Sequence, residues 1–146
     1  MNSLIRFLFP VRLSDTAVSL LFLGFRLIFG ALLLSHGLQK WENFSALSGV
    51  FPDPLGIGST LSLSLAIFGE AICSLGFMFG AFYRLAMLPM IFTMLVALFV
   101  VHASDPFAVK ELALVYLVVF VLMYFAGPGK FSFDYWIGEN IRKRKA

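Results

Sequence analysis

Four long runs of apolar residues constrain this chain more than any other feature. Each run approaches or exceeds the roughly 20 residues that an α-helix needs to cross the hydrocarbon core of a bilayer. In hydrocarbon every backbone amide must be hydrogen-bonded within the protein, and helices meet that need segment by segment. The runs therefore predict an all-α membrane protein, a bundle of four transmembrane helices. The predicted spans are residues 17–39, 59–81, 84–103 and 107–126.

Composition supports the same class of protein. Of the 146 residues, 60% are hydrophobic and 13% are charged, which is too apolar for the surface of a soluble domain of this length. We therefore treat residues 1–146 as a single membrane domain. The single cysteine, Cys73, excludes an internal disulfide and a cysteine-ligated iron–sulfur cluster within one chain. The net charge of +3 does not indicate a nucleic-acid partner, because the basic residues lie mostly at the ends of apolar runs.

Lysines and arginines are unevenly distributed over the predicted loops. With both termini on one side of the membrane, eight of them fall on that side and two on the other, while Arg26 lies within the first span. The positive-inside rule therefore predicts that both termini are cytoplasmic. Apolar residues around Arg6 and Arg12 predict an N-terminal interfacial segment. The basic tail at residues 137–146 fits an anionic inner leaflet.

Two charged residues lie deep inside the apolar runs. Arg26 is nine positions from the start of the first span at Ala17, and Glu70 is eleven positions from the end of the second at Ala81. Because the two spans are antiparallel, a rise of about 1.5 Å per residue brings the two side chains to nearly the same depth. A charge in hydrocarbon needs a partner, and arginine forms bidentate pairs with carboxylates. We therefore predict a buried Arg26–Glu70 ion pair that organises a pocket.

A second group of polar side chains is predicted near the outer boundary of the membrane. They end the first and third spans and begin the fourth, so they lie within about two helical turns of that boundary. Such a group can line a ligand-binding cavity, although residues near helix ends also snorkel to the interface. Two histidines near the boundary make a poor haem or metal site, so no metal is predicted. The group is His36, Lys40, His102 and Glu111.

Four glycines within the first two spans predict close helix packing. Gly30 and Gly37 are a heptad apart on the stripe of the first helix that carries Arg26. Gly76 and Gly80 form a GxxxG motif, which serves either packing within the chain or a homodimer.

The polar residues and glycines form a series of four motifs along the chain: Arg26-x3-Gly30, His36-Gly37-x2-Lys40, Glu70-x5-Gly76-x3-Gly80-x3-Arg84 and Gly127-Pro128-Gly129-Lys130-x-Ser132-x-Asp134. The order and spacing of these motifs resemble the DoxX family of small bacterial four-helix membrane proteins. The resemblance covers about residues 17–136 and implies a multi-pass protein of the bacterial cytoplasmic (inner) membrane. It also implies a link to the membrane subunits of thiosulfate:quinone oxidoreduction and to redox complexes. A more distant similarity extends to eukaryotic four-helix proteins with sterol-binding or chaperone roles.

Three functions are compatible with these patterns. The first is a redox-associated membrane subunit that binds quinone or another small apolar ligand beside a redox protein partner, with no covalent cofactor. The second is a structural or assembly scaffold, in which the Arg26–Glu70 pair only fixes the register of the helices. The third is a small-solute or proton-coupled transporter, because a midplane glutamate suits cation binding. The predicted arginine partner and the uneven loop charges argue against this third function. No motif assigns a catalytic residue.

Overall fold

A computed structural model describes residues 14–145, which form helices joined by loops. Four of the helices are long and apolar enough to cross a membrane, and their bounds agree with the predicted spans to within three residues. The predicted interfacial segment around Arg6 and Arg12 lies outside the described residues. The long helices are α1 (Asp15–Glu42), α2 (Ser59–Phe79), α3 (Tyr83–Val101), α4 (Phe107–Ala126) and the polar α5 (Phe133–Lys145). A single helical turn, Phe44–Leu47, follows α1.

The register between α1 and α2 is set by two glycines of α1. A Cβ atom on Gly30 would meet the side chains of Phe77 and Met78, and one on Gly37 would lie 2.6 Å from the backbone nitrogen of Ala71. Moving seven residues forward along α1 therefore corresponds to moving about seven residues back along α2. It follows that the first turns of α1 extend past the end of α2.

The first turns of α1 pack instead against the chain that follows α4. The backbone N–H of Lys130 donates to Ser19 Oγ at 3.3 Å, and a Cβ on Gly129 would lie 3.3 Å from Ser19 Cα. Ser14 begins α1 as its N-cap, since its hydroxyl accepts the backbone N–H of Ala17 at 3.1 Å. The start of α1 and the end of α4 therefore lie at the same end of the bundle.

A π-helical turn at Phe68–Ile72 interrupts α2. The Ser74 hydroxyl donates to the carbonyl of Glu70, within this turn, at 2.6 Å. Single π-helical turns within α-helices are frequent at functional sites. This turn carries the buried carboxylate of Glu70, so it directs attention to that side chain.

The loop between α1 and α2 is fixed by Asp53. The carboxylate accepts the backbone N–H groups of Ile57 at 3.0 Å and Gly58 at 2.8 Å, and the Ser62 hydroxyl at 2.8 Å. The hydrogen bonds from Gly58, which has the larger effect, and from Ser62 hold the pKa of Asp53 below its ordinary value, because both favour the charged form. The ionised Asp53 carboxylate therefore stabilises the loop at neutral pH, and this stabilisation is lost as the pH falls through the lowered pKa.

Candidate functional site

Arg26 is buried, but its guanidinium does not pair with Glu70. The side chain is 1% exposed, and it donates to four main-chain carbonyl oxygens that come from two separate segments. The four acceptors are the carbonyls of Phe77 (3.0 Å from Nε), Met78 (2.7 Å from Nη2), Pro128 and Phe131 (each 2.8 Å from Nη1).

The predicted Arg26–Glu70 pair is wrong because α1 and α2 are staggered. The backbone of Gly37 lies opposite that of Glu70, and Arg26 precedes Gly37 by eleven residues. At about 1.5 Å per residue, this separation corresponds to roughly 16 Å along the helix axis. The prediction placed Ala17 and Ala81 at one depth, whereas the start of α1 lies beyond the end of α2.

The partners of Arg26 define a structural role. The last carbonyls of a helix have no partners within the helix and carry partial negative charge. The planar guanidinium presents five donors in a rigid fork, so one side chain can satisfy carbonyls from several directions. Arg26 therefore caps the end of α2 and ties it to the segment between α4 and α5.

Asp134, in the last of the four motifs, contributes further hydrogen bonds at this end of α2. The Asp134 carboxylate accepts the backbone N–H groups of Phe82 at 2.9 Å and Tyr83 at 2.7 Å, and the Asp134 N–H donates to the Gly80 carbonyl at 2.9 Å. Phe82 has φ of 47°, and a non-glycine residue in this region costs roughly 1–3 kcal/mol. Through these hydrogen bonds, Asp134 fixes the turn at Phe82 and caps the N-terminus of α3. We call Arg26, Gly80, Ser132 and Asp134, with the four carbonyls, the Arg26 cluster.

The remaining motif residues at this end have structural contacts as well. The Ser132 hydroxyl donates to the carbonyl of Gly129 at 2.8 Å. Gly127 follows the last turn of α4, where its N–H donates to the Met123 carbonyl at 2.9 Å. The guanidinium carbon of Arg84 lies 6.0 Å from the centre of the Tyr124 ring, in the range of a cation–π contact.

Gly76 and Gly80 pack within the chain. A Cβ on Gly76 would lie 3.0 Å from Ala86 Cβ in α3. Gly80 has φ of +64°, and a Cβ there would lie 2.5 Å from Ser132 Cβ and 2.9 Å from Nη2 of Arg26. The GxxxG motif therefore packs α2 against its own chain.

The partner of Glu70 is Lys40. The Lys40 Nζ lies 2.5 Å from Glu70 Oε2, and the two side chains are 26% and 8% exposed. Both residues had been selected from the sequence but assigned to different depths. The signal that joins them is Gly37, because its close approach to α2 brings the next turn of α1 alongside Glu70.

A cavity of about 1130 Å³ opens beside this ion pair. Most of its walls are apolar and come from α1, α2, α3, α4 and the Asp53 loop. Some wall residues, including Leu65, Phe68 and Phe92, are also exposed on the outside of the bundle, so the cavity reaches the surface that faces lipid. We call it the Glu70 cavity. The polar side chains that line it are His36, Lys40, Ser62, Glu70, Thr93, His102 and Tyr116.

Three of the four residues of the predicted outer group line this cavity: His36, Lys40 and His102. His102 is bound to its own loop, with Nδ1 2.7 Å from the Asp105 carboxylate. Glu111 is exposed and lies outside the lining. Its placement in the outer group is corrected because α4 turns the neighbouring Leu112, Ala113 and Tyr116 toward the cavity instead.

Tyr116 is not among the residues predicted from the sequence. The side chain is 3% exposed and lines the cavity. Its ring centre lies 6.3 Å from that of His36, in an edge-to-face arrangement. Tyr116 lies five positions after Glu111 in an apolar helix. A buried tyrosine needs a hydrogen-bond partner for its hydroxyl, so the residue type alone could have marked Tyr116 as a candidate.

Four apolar helices of bilayer length define an integral, multi-pass membrane protein in contact with lipid. Comparison with protein families matches residues 21–103, more than half of the chain, to DoxX. The chain therefore belongs to the DoxX family. No curated protein and no solved structure matches it.

Proposed function

We propose that this DoxX-family protein binds a quinone, or another small apolar ligand, in the Glu70 cavity. The observation that carries the proposal is the buried Lys40–Glu70 pair, which borders a largely apolar cavity of about 1130 Å³. Ligand sites are typically apolar clefts of about 300–1,000 Å³ with a few polar groups that fix orientation. A quinone or isoprenoid fits this description, with its tail on the apolar walls and its polar group beside the ion pair.

The chemistry of the lining supports this orientation. Lys40 has three N–H donors, of which one is directed to Glu70 Oε2, so the ammonium retains donors for a ligand carbonyl. The His36 ring also lines the cavity, and its two ring nitrogens provide a hydrogen-bond donor and an acceptor. In a redox complex these groups would hold the ligand while a partner protein supplies or removes electrons. The resemblance to membrane subunits of redox complexes supports this setting.

We also propose that the protein resides in a bacterial cytoplasmic membrane with α5 on the cytoplasmic side. Lys130 follows α4, and α5 carries Arg142, Lys143, Arg144 and Lys145, whereas the loop between α3 and α4 contains no lysine or arginine. The positive-inside rule supports this orientation. The Lys40–Glu70 pair then lies toward the outer leaflet.

The binding test uses ubiquinone-1 and the protein purified in mild detergent. His36→Ala and Glu70→Gln should each weaken binding about tenfold, because the first removes the imidazole from the cavity and the second removes the carboxylate charge that holds Lys40 in position. Loss of a good hydrogen bond to a charged group corresponds to roughly this factor. Glu111→Gln is the matched control, since it makes the same chemical change at an exposed residue outside the lining.

A double variant guards against unfolding. Glu70→Gln alone leaves the Lys40 charge uncompensated in an apolar setting, which can destabilise the fold. The double variant Lys40→Gln/Glu70→Gln removes both charges and keeps a pair that can hydrogen-bond. Quinone binding unchanged in His36→Ala and in a folded double variant would rule out this site.

An assembly scaffold is the second candidate function, and the exposed face of α5 favours it. Four large apolar side chains of this helix are 48–64% exposed, next to its basic residues: Phe133, Trp136, Ile137 and Ile141. Purification in mild detergent followed by mass spectrometry discriminates the two functions. A scaffold should retain a protein partner and no ligand, whereas the proposed binding protein should retain a quinone or isoprenoid.

A further inference from the structure

We propose that the Tyr116 hydroxyl is a ligand-binding group and that the Glu70 cavity selects an amphiphile with an uncharged head that carries a hydroxyl or carbonyl oxygen. This inference deepens the proposed function and depends on the cavity's binding a ligand. It adds the chemical class of the head group and one residue that recognises it.

The ring of Tyr116 is held from three sides. It stacks on Phe120 with ring centres 5.6 Å apart, and it meets Phe29 edge-on at 6.1 Å and His36 edge-on at 6.3 Å. A side chain fixed in this way holds its hydroxyl in a defined position. Such pre-organisation reduces the entropy lost when a ligand binds.

The Tyr116 hydroxyl faces the cavity. It makes no hydrogen bond to any residue within 14–145, although the residue is 3% exposed. Within that range no side-chain polar atom is both sealed from open space and without a partner. The hydroxyl must therefore border open space, and the open space that Tyr116 lines is the Glu70 cavity. A buried tyrosine hydroxyl usually has a partner, which here would be supplied by a ligand.

The charge of the cavity lining determines the charge of the head group. Lys40 and Glu70 compensate each other at 2.5 Å, and the Tyr116 hydroxyl adds a neutral donor and acceptor. A carboxylate or ammonium head would bring an uncompensated charge into an apolar setting, which is costly. A hydroxyl or carbonyl head adds no charge. Either can accept a hydrogen bond from Lys40 or from the Tyr116 hydroxyl, and a hydroxyl head can also donate to the Glu70 carboxylate.

Four probes separate the head group from the tail. Farnesol has a neutral hydroxyl head, ubiquinone-1 has carbonyl groups, oleate has a carboxylate, and farnesane has an isoprenoid chain without oxygen. Binding to the purified full chain is measured by native mass spectrometry, for the wild-type protein and for Tyr116→Phe. Tyr124→Phe is the matched control, because it removes a hydroxyl from the same helix outside the cavity lining. The phenylalanine variants keep the ring packing, and thermal unfolding verifies that they fold.

The expected result is that Tyr116→Phe weakens farnesol and ubiquinone-1 binding about fivefold, the effect of one lost hydrogen bond. Farnesane binding should not change, and oleate should bind more weakly than farnesol. The inference is overturned if Tyr116→Phe binds farnesol and ubiquinone-1 as tightly as the wild-type protein does. It is also overturned if oleate binds more tightly than farnesol, or if no probe binds. If farnesol binds through Tyr116 and ubiquinone-1 does not bind, the quinone proposal fails and the inference holds.

Discussion

At the scale of single residues, a buried arginine can serve the fold through main-chain contacts alone. Arg26 uses four N–H donors on four carbonyl oxygens, and no carboxylate of the described residues forms an ion pair with it. The negative end of the α2 dipole and the turned carbonyls after α4 supply the compensation. Arg26 is therefore a structural residue at the end of the bundle that lies away from the Lys40–Glu70 pair.

Arg26→Lys should destabilise the protein by roughly 3 kcal/mol, because an ammonium cannot reach carbonyls on both segments and each hydrogen bond to a charged group is worth about 1.5–3 kcal/mol. Unfolding by denaturing detergent measures the change. Arg84→Lys is the matched control, since Arg84 is exposed and has one aromatic contact. Equal stability of the two variants would contradict the role assigned to the Arg26 cluster.

At the scale of helices, the main chains of α1 and α2 come into close contact at Gly37. The backbone of Glu70 and Ala71 lies where a Cβ of residue 37 would be, at 2.6–2.8 Å. A shift of side chains cannot relieve this contact, because the atoms belong to main chain. The contact thus fixes both the spacing of the helices and the alignment of Lys40 with Glu70.

Gly37→Ala should destabilise the protein by about 1–3 kcal/mol, the usual cost of overpacking, and should weaken ligand binding because it displaces the ion pair. Gly24→Ala is the control in the same helix, since a Cβ there has no neighbour within 4 Å. Thermal unfolding and ubiquinone-1 binding provide the two measurements. A Gly37→Ala protein as stable as Gly24→Ala would mean that the helices do not pack at this distance.

The sequence predicts the helices better than it predicts their register. Apolar run length and turn residues are local signals, so the four spans were placed to within three residues. The relative depth of two spans depends on stagger, and the contacts of Gly30 and Gly37 that set the stagger are not encoded in either helix alone. For this reason His36, Lys40 and Glu70 were identified as candidates, while the partner of Glu70 was misassigned.

At the scale of the whole molecule, the two ends of the bundle differ in construction. One end is joined by the Arg26 cluster, where α1, α2, α3 and the chain after α4 share hydrogen bonds. The Lys40–Glu70 pair lies toward the other end, and the mostly apolar cavity beside it extends along α2 and α3 as far as Ala81 and Phe82. Exchange of a ligand whose head group lies beside the ion pair should therefore move the end that contains Lys40 and Glu70 and leave the hydrogen-bonded Arg26 cluster in place.

The proposed orientation predicts which end can be labelled from outside the cell. In a Cys73→Ser background, Gly49→Cys should react with a membrane-impermeant maleimide on intact bacteria, and Gly138→Cys should react after permeabilisation only. Both glycines have open space around them, so neither change should disturb packing, and the chain has no other cysteine. The reverse labelling pattern would place α5 outside and contradict the orientation.

The contacts of Arg26 have a consequence for how related sequences can vary. Each of its four acceptors is a peptide carbonyl, which every amino acid possesses. Substitutions at the four acceptor positions can therefore leave these contacts intact, provided that the backbone keeps its path, whereas the arginine has no equivalent. Statistical coupling between alignment columns should accordingly detect the Lys40–Glu70 pair, in which both side chains take part. It should not detect the contacts between Arg26 and the main-chain carbonyls at the opposite end of the bundle.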